Sequence, residues 1–298
     1  MFPRLFFENI VVDDISNVFD KDIKVSVLRL DKLHPVISGN KWFKLRYYIE
    51  EAKKQNKKTI VTFGGAWSNH IVATAAACKI NGLNSIGIIR GEEPVVFSNT
   101  LNNATEFGMR LVFIPREDYK NKMIPAEFNS NEYYIINEGG YGITGAKGAS
   151  TILEYGGKNF SHYCCAVGTG TMMAGLINGA SPGQKIIGLS VMKNNTGLEE
   201  MIKKLLKQNS NSAIPGWELL HDHHFGGYAK YNTELINFMN DFYQQTGIPS
   251  DFVYTAKLFY GVNDLIKKNL FPNGSNILLI HSGGLQGNLS FPKGTLIF

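Results

Sequence analysis

Five short stretches of the sequence pair chemically capable side chains with glycine-rich turns that could deliver them to a ligand. The first is Ser38-Gly39-Asn40-Lys41-Trp42-Phe43-Lys44-Leu45-Arg46. Gly39 and Asn40 read as a turn, and a helix is predicted to start near Lys41. Lys41 and Lys44 are i, i+3 neighbours and share a helix face. Cations at a helix start oppose the macrodipole, which is a local cost. The cost disappears if Lys41 is a Schiff base rather than an ammonium and Lys44 faces an anion. Two solvated lysines on an exposed helix are the plain alternative.

The second stretch runs from Thr59 through Phe63 to Gly64-Gly65-Ala66-Trp67-Ser68-Asn69-His70, and then into the alanine-rich Ile71–Ala77. It reads as strand, glycine turn, capping Ser or Asn, and a tightly packed helix. The helix amides, the Ser68 hydroxyl and the Asn69 amide could hold a carboxylate; an ordinary cap is the alternative. The third stretch, Tyr163–Val167 followed by Gly168-Thr169-Gly170-Thr171-Met172, has the same strand–turn–helix form. Amides in such a loop cradle phosphate, although this one is neither a P-loop nor GxGxxG. The fourth comprises Phe225-Gly226-Gly227-Tyr228-Ala229 and Asp251-Phe252-Val253-Tyr254-Thr255-Ala256-Lys257. The fifth is His281-Ser282-Gly283-Gly284-Leu285-Gln286-Gly287, at the end of a late strand. His221, His223 and His224 suggest a metal cluster at first sight, but no HExxH or cysteine partner supports zinc. No metal is expected.

The elements that must position these residues alternate. Strand-like runs are Thr59–Phe63, Ser85–Ile89, Leu111–Ile114, Tyr133–Ile136, Tyr163–Val167, Ile186–Val191 and Ile277–Ile280. Several are almost continuously apolar, as strands buried on both faces are. Helical patterns lie between them at Trp42–Lys54, His70–Asn81, Ser98–Phe107, Ala146–Tyr155, Met172–Gly179, Gly197–Gln208, Asn232–Thr246 and Ala256–Asn269. Such alternation predicts an α/β fold with parallel, open twisted sheets and helices on both faces. Ligands in such folds bind beyond the carboxyl ends of strands, where the glycine turns gather.

Composition narrows the class. The chain has 298 residues, 44% hydrophobic and 18% charged, which is ordinary globular usage. Lys+Arg 30 against Asp+Glu 25 leaves a dispersed +5. Its densest cluster, Lys53, Lys54, Lys57 and Lys58, has no interleaved aromatics, so no nucleic-acid partner is expected. No run reaches the roughly 18 apolar residues of a membrane span, and the opening stretch shows no signal-peptide pattern. Three cysteines (Cys78, Cys164 and Cys165) form no disulfide or zinc pattern and are expected in the core; a cytoplasmic location is the simplest expectation.

Taken in order, GNKxxKL, GGAxSNH, GTGT, GY, VYTxK and HSGG resemble the 1-aminocyclopropane-1-carboxylate deaminase / D-cysteine desulfhydrase family over residues 5 to 290 or so. The resemblance implies pyridoxal 5′-phosphate as cofactor and the tryptophan synthase β-like fold (PLP fold type II). It implies a large cofactor-binding domain of residues 1–44 and 146–298, a small domain of 45–145, a small amino-acid substrate and a homodimer. Lys41 would hold the cofactor through a carbon–nitrogen double bond, and Asn69 would bond its 3′-oxygen. Lys44 would meet the phosphate, with the amides of Gly168, Thr169, Gly170, Thr171 and Met172. Ser68, Asn69 and His70 would receive the substrate carboxylate, while Tyr228 and Tyr254 line the pocket. Lys41, Ser68 and Tyr254 are the expected catalytic residues.

Two cofactor-binding positions sort the chemistry. In the deaminase pattern a Glu follows the tyrosine and a Leu precedes the late Gly-Gly; here Thr255 and Ser282 stand there. A carboxylate at the pyridine nitrogen makes the ring a strong electron sink, and a neutral hydroxyl does not. Losing a thiolate from a deprotonated cysteine needs less of a sink than opening a cyclopropane. The resemblance therefore implies β-elimination of D-cysteine or a similar amino acid. Ring-opening deamination and cofactor binding without turnover are the alternatives. Met172, Trp67 and Ala256 depart from the family pattern; Trp67 is expected to narrow the pocket and Met172 to weaken the phosphate loop.

Overall fold

The near-continuous apolar runs become strands covered on both faces. The computed structural model describes residues 5–19, 22–128, 130–206 and 215–298. The first half contains β1 (Val12–Asp14), β2 (Lys24–Arg29), α1 (Asn40–Lys54), β3 (Thr59–Gly64), α2 (Asn69–Ile80), β4 (Asn84–Arg90), α3 (Asn99–Glu106), β5 (Met109–Ile114), α4 (Arg116–Lys120), β6 (Tyr133–Ile136) and α5 (Ile143–Ser150). The second contains α6 (Leu153–Gly156), β7 (His162–Val167), α7 (Thr171–Gly179), β8 (Lys185–Ser190), α8 (Leu198–Lys203), β9 (Gly216–Leu220), α9 (Thr233–Thr246), α10 (Thr255–Lys267) and β10 (Asn276–His281). Lys207 and Gln208, the tail of the helix predicted over Gly197–Gln208, lie outside the described residues, as does Arg4.

The strands form two sheets. One has the order β1-β2-β10-β7-β8-β9, and the other β5-β4-β3-β6. All pairings are parallel except β1 with β2. The strands of the second sheet fall within residues 59–136, so the chain enters and leaves it once. Period-2 alternation divides each strand between two cores. In β7, Tyr163, Cys165 and Val167 join a core with α5, α7 and α8, while Cys164 and Ala166 face α9 and α10. The smaller sheet is covered likewise, by Ile60 on the side of α1 and α2 and by Val61 and Phe63 on the other. The three cysteines are free and buried.

Three strands are not among the sequence expectations. β1 is three residues long, and β9 is an edge strand with no fully buried residue. β2, Lys24–Arg29, mixes Lys, Ser and Arg into its apolar positions. Its Arg29 lies buried between Asp13 and Asp31 at 2.8 and 2.7 Å, so charge pairing replaces the hydrophobic signature. Among the described residues, no helix is long and apolar enough to cross a membrane.

Candidate active site

Two glycine motifs far apart in sequence interlock and thereby aim Lys41. Gly39 precedes α1 with φ +64°, and a Cβ there would fall 1.7 Å from the Ser282 carbonyl oxygen, so only glycine fits. The Asn40 amide donates to that carbonyl at 3.2 Å, and the Gly284 amide donates to Ser38 Oγ at 3.2 Å. Lys41, second residue of α1, donates from Nζ to Asn40 Oδ1 at 2.8 Å and stands 5.6 Å from the centre of the Tyr254 ring. Burial lowers its pKa to about 8, against the opposing pull of Asp251.

Lys44 is buried one turn on. Its Nζ lies 3.4 Å from the Gly139 carbonyl, and its stem packs under Gly140, which has φ +71°. Burial and then Lys41 push its pKa well below the ordinary value. Among the described residues neither lysine has an ion-pair partner.

His70 adds a neutral acceptor beside them. Burial, with Lys41 and Lys44 nearby, lowers its pKa to about 3. The Thr62 hydroxyl donates to the Ile136 carbonyl at 2.9 Å, so it must accept from His70 Nε2–H, also at 2.9 Å. Nδ1 then carries a lone pair, is buried and has no partner.

The two strand–turn–helix stretches face this cluster differently. Ser68 precedes α2 in an extended conformation but makes no side-chain cap; its carbonyl accepts from the Ile71 amide at 3.0 Å, which leaves its hydroxyl and the Asn69 and His70 amides open. Asn69 Oδ1 accepts from Gln286 Nε2 at 2.9 Å, a bond that ties α2 to the turn after β10. On the other side, Gly170 caps α7 in the left-handed region at φ +80°, pressed against Ile202. Thr169 and Thr171 join their hydroxyls at 3.0 Å, and a Cβ on Gly139 would touch the Thr169 methyl at 2.9 Å. The Gly168–Met172 loop thus lies against Gly139–Gly140 and, through them, Lys44. Gly168 leaves room for the Tyr254 ring, which a Cβ there would meet at 3.3 Å. Tyr228 stands edge-on to Tyr254 at 6.1 Å.

Asp251 organises the far wall; it opens part of the fourth stretch, but the sequence assigns it no role. It is fully buried, and its carboxylate accepts from the amides of Val253, Tyr254 and Thr255 at 2.9–3.0 Å and from the Thr255 hydroxyl at 2.8 Å. A Cβ on Gly284 would lie 2.8 Å from Asn69 Nδ2 and 3.3 Å from the Asp251 carboxyl carbon, so Gly284 keeps these groups together. An Asp four residues before the first turn of a helix was its only sequence signal, and it reads equally well as a cap. Ser282 is buried in the same wall. Trp67, by contrast, is 55% exposed. His221 and His223 pair with Glu199 and Asp264 at 2.8 and 2.9 Å.

One half-buried and one buried lysine without carboxylate partners, open helix amides, an orphan imidazole acceptor and a glycine cradle suit an anionic, ring-bearing group such as pyridoxal 5′-phosphate. The family model for pyridoxal-phosphate dependent enzymes matches residues 16–283. The chain belongs to this family. This pyridoxal-phosphate enzyme is 30% identical over 285 residues to a Thermotoga maritima protein provisionally named 1-aminocyclopropane-1-carboxylate deaminase, covering 88% of this chain and 89% of the relative. It is 29% identical over 281 residues to the mitochondrial bifunctional D-cysteine desulfhydrase/1-aminocyclopropane-1-carboxylate deaminase of Arabidopsis thaliana, covering 84% and 70%. A crystal structure of an ACC deaminase homologue superposes with a TM-score of 0.80 at 27% identity, covering 96% and 93%. The Helicobacter pylori O-acetylserine dependent cystathionine β-synthase shares the fold, with a TM-score of 0.67 at 18% identity and 98% and 99% coverage. The pyridoxal-phosphate enzyme therefore has the tryptophan synthase β-like architecture that the motif order implies, and it is an amino-acid lyase or deaminase by family.

Proposed function

We propose that this enzyme eliminates the β-substituent of a small amino acid, D-cysteine or a close analogue, yielding pyruvate, ammonia and sulfide with uptake of one water. The observation that carries this reading is the residue at position 255: a buried threonine whose hydroxyl is held by Asp251, where ring opening calls for a carboxylate. On this reading Lys41 holds the cofactor, Asn69 bonds its ring oxygen, and Thr255 and Ser282 meet the pyridine side. Lys44 and the amides of Gly168, Thr169, Gly170, Thr171 and Met172 hold the phosphate. The bound cofactor supplies an electron sink for a substrate carbon that loses its α-proton.

The remaining work falls to side chains of this chain. Ser68, Asn69 and His70 orient the substrate carboxylate at the start of α2. Lys41, freed and neutral in a site rich in positive charge, accepts the α-proton at Nζ; its lowered pKa supplies the neutral form near pH 8. Tyr254 and Tyr228 wall the substrate, and Tyr254 keeps its phenol protonated, since burial drives its pKa well up. The cleft lies between a small domain of 45–145 and a large domain formed by the rest, and the enzyme acts as a cytoplasmic homodimer.

A second reading is ring-opening deamination of 1-aminocyclopropane-1-carboxylate. It draws support from the relatives' names and from Asp251, which sits one hydrogen bond behind Thr255. Keto-acid release from the two substrates decides between them. Faster release from D-cysteine supports β-elimination. Equal or faster release from the cyclopropane would mean that Asp251 acts through the hydroxyl and that the β-elimination reading is wrong.

A further inference from the structure

Met172 sits in the loop proposed to hold phosphate, yet its side chain brings no donor to an anion. Its sulphur lies 3.2 Å from Asn40 Nδ2, and Asn40 Oδ1 lies 2.8 Å from Lys41 Nζ. Asn40 and Met172 are both sealed from solvent. These two contacts fix the amide in one orientation. A thioether only accepts and an ammonium only donates. The amide must therefore turn its nitrogen to Met172 and its oxygen to Lys41; a flip would break both bonds and set NH₂ against an ammonium. The Asn40 backbone is already pinned, because its N–H donates to the Ser282 carbonyl. What freedom remains belongs to the side chain, and the sulphur removes it.

We propose that Met172 is a positioning residue for the reacting lysine: its sulphur anchors the Asn40 amide, whose oxygen parks the Lys41 amine in the cleft whenever that amine is free. This rests on the reading of Lys41 as the residue that holds the cofactor. The parking works for ammonium and for neutral amine alike, because both have an N–H to donate. The groups that face Lys41 are Lys44 on its own helix and, from other elements, His70 on α2 and Asp251 and the Tyr254 ring before α10. None of them offers Lys41 a hydrogen-bond acceptor among the contacts of the described residues, so Asn40 alone fixes where Nζ waits. The side chain that interrupts the run of small and hydroxyl residues in the loop thereby gains a purpose.

The test uses full-length protein stripped of cofactor and reloaded with pyridoxal 5′-phosphate, followed by growth of the yellow band that marks covalent linkage. Saturation kinetics separate the half-saturating cofactor concentration from the rate of linkage. Met172→Leu keeps the volume and removes the acceptor; Met172→Gln supplies a carbonyl oxygen in its place. The expected result is a linkage rate about tenfold lower in Met172→Leu, with half-saturation within about twofold of wild type. The pH midpoint of linkage should move to lower pH, since a lost acceptor disfavours the ammonium. Met172→Gln should recover most of the rate. An unchanged linkage rate and midpoint in Met172→Leu would overturn the proposal, whether or not that variant binds cofactor less tightly or melts sooner. So would a Met172→Gln enzyme as slow as Met172→Leu. Lys41→Ala run alongside separates the two levels: a yellow band retained in that variant means that Lys41 itself is misassigned.

Discussion

Lys41 and Lys257 make the same offence against helix electrostatics and put it to different use. Each lies in the first turn of a helix, α1 or α10, where a cation opposes the dipole. Each has its pKa lowered by burial to about 8, and each feels the same counter-charge, Asp251. Lys257, however, is closed in at 1% exposure and donates to the carbonyls of His224 at 2.9 Å and Gly227 at 2.7 Å. It thus clamps the loop that carries Tyr228, whose residues Phe225, Gly226, Gly227 and Ala229 all have positive φ. Lys41 has one amide oxygen and an aromatic ring beside it and is only half-buried. A depressed pKa is therefore common to both lysines and does not separate them; on the proposed reading, the lysine with donors to spare is the one that holds the cofactor.

The comparison breaks first at Lys41. Lys41→Ala should remove the yellow band and lower turnover by at least about a thousandfold, while Lys257→Ala keeps the band. Absorption spectra of the two purified variants check this. Next comes the shared carboxylate. Asp251→Asn removes the charge behind three amides and the Thr255 hydroxyl, and should cost about 2–3 kcal/mol in urea unfolding. Because Asp251 raises the pKa of both lysines, the pH midpoint of cofactor linkage should also fall.

Lys257→Met should leave two loop carbonyls unpaired at about 1–3 kcal/mol each and raise KM more than it lowers kcat. The sign of its pH dependence follows from linkage. The folded-state pKa of Lys257 is below its unfolded value, so between about pH 8 and 10.5 the unfolded chain binds more protons and stability rises with pH. The cost of burying the ammonium is present in full below about pH 8. Lys257→Met should lack this contribution to the rise, as unfolding at pH 7.5 and pH 10 can measure. The smallest effect belongs to Trp67→Ala. At 55% exposure the indole should change stability by no more than about 0.5 kcal/mol, so any effect on the enzyme appears in KM alone.

Legibility in the sequence follows the range of the interaction. The helix at Asn40–Lys54 and the strands at Thr59–Gly64 and His162–Val167 lie where apolar periodicity puts them, because local pattern and burial agree there. β2 escapes that logic because Arg29 is buried by pairing with Asp13 and Asp31, which no periodicity records. Within the site, Lys41, Lys44, Ser68, Asn69, His70 and the Gly168–Met172 loop stood out by type and spacing. The partners that give them direction did not. Asp251, Gln286 and the Met172–Asn40 contact act across 4 to 217 positions of chain, and most of these contacts join residues that only the fold, including the interlock of Gly39 with Ser282, brings together. Trp67 is a residue of the opposite kind: its bulk beside a motif implies a narrower pocket, and its indole is 55% exposed.

The most direct test of the account is to reduce the yellow holoenzyme with borohydride, digest it and map the pyridoxyl group by mass spectrometry. The label is expected on Lys41. A label on Lys44 or Lys257, or on no lysine, would contradict the assignment from which the proposed chemistry follows.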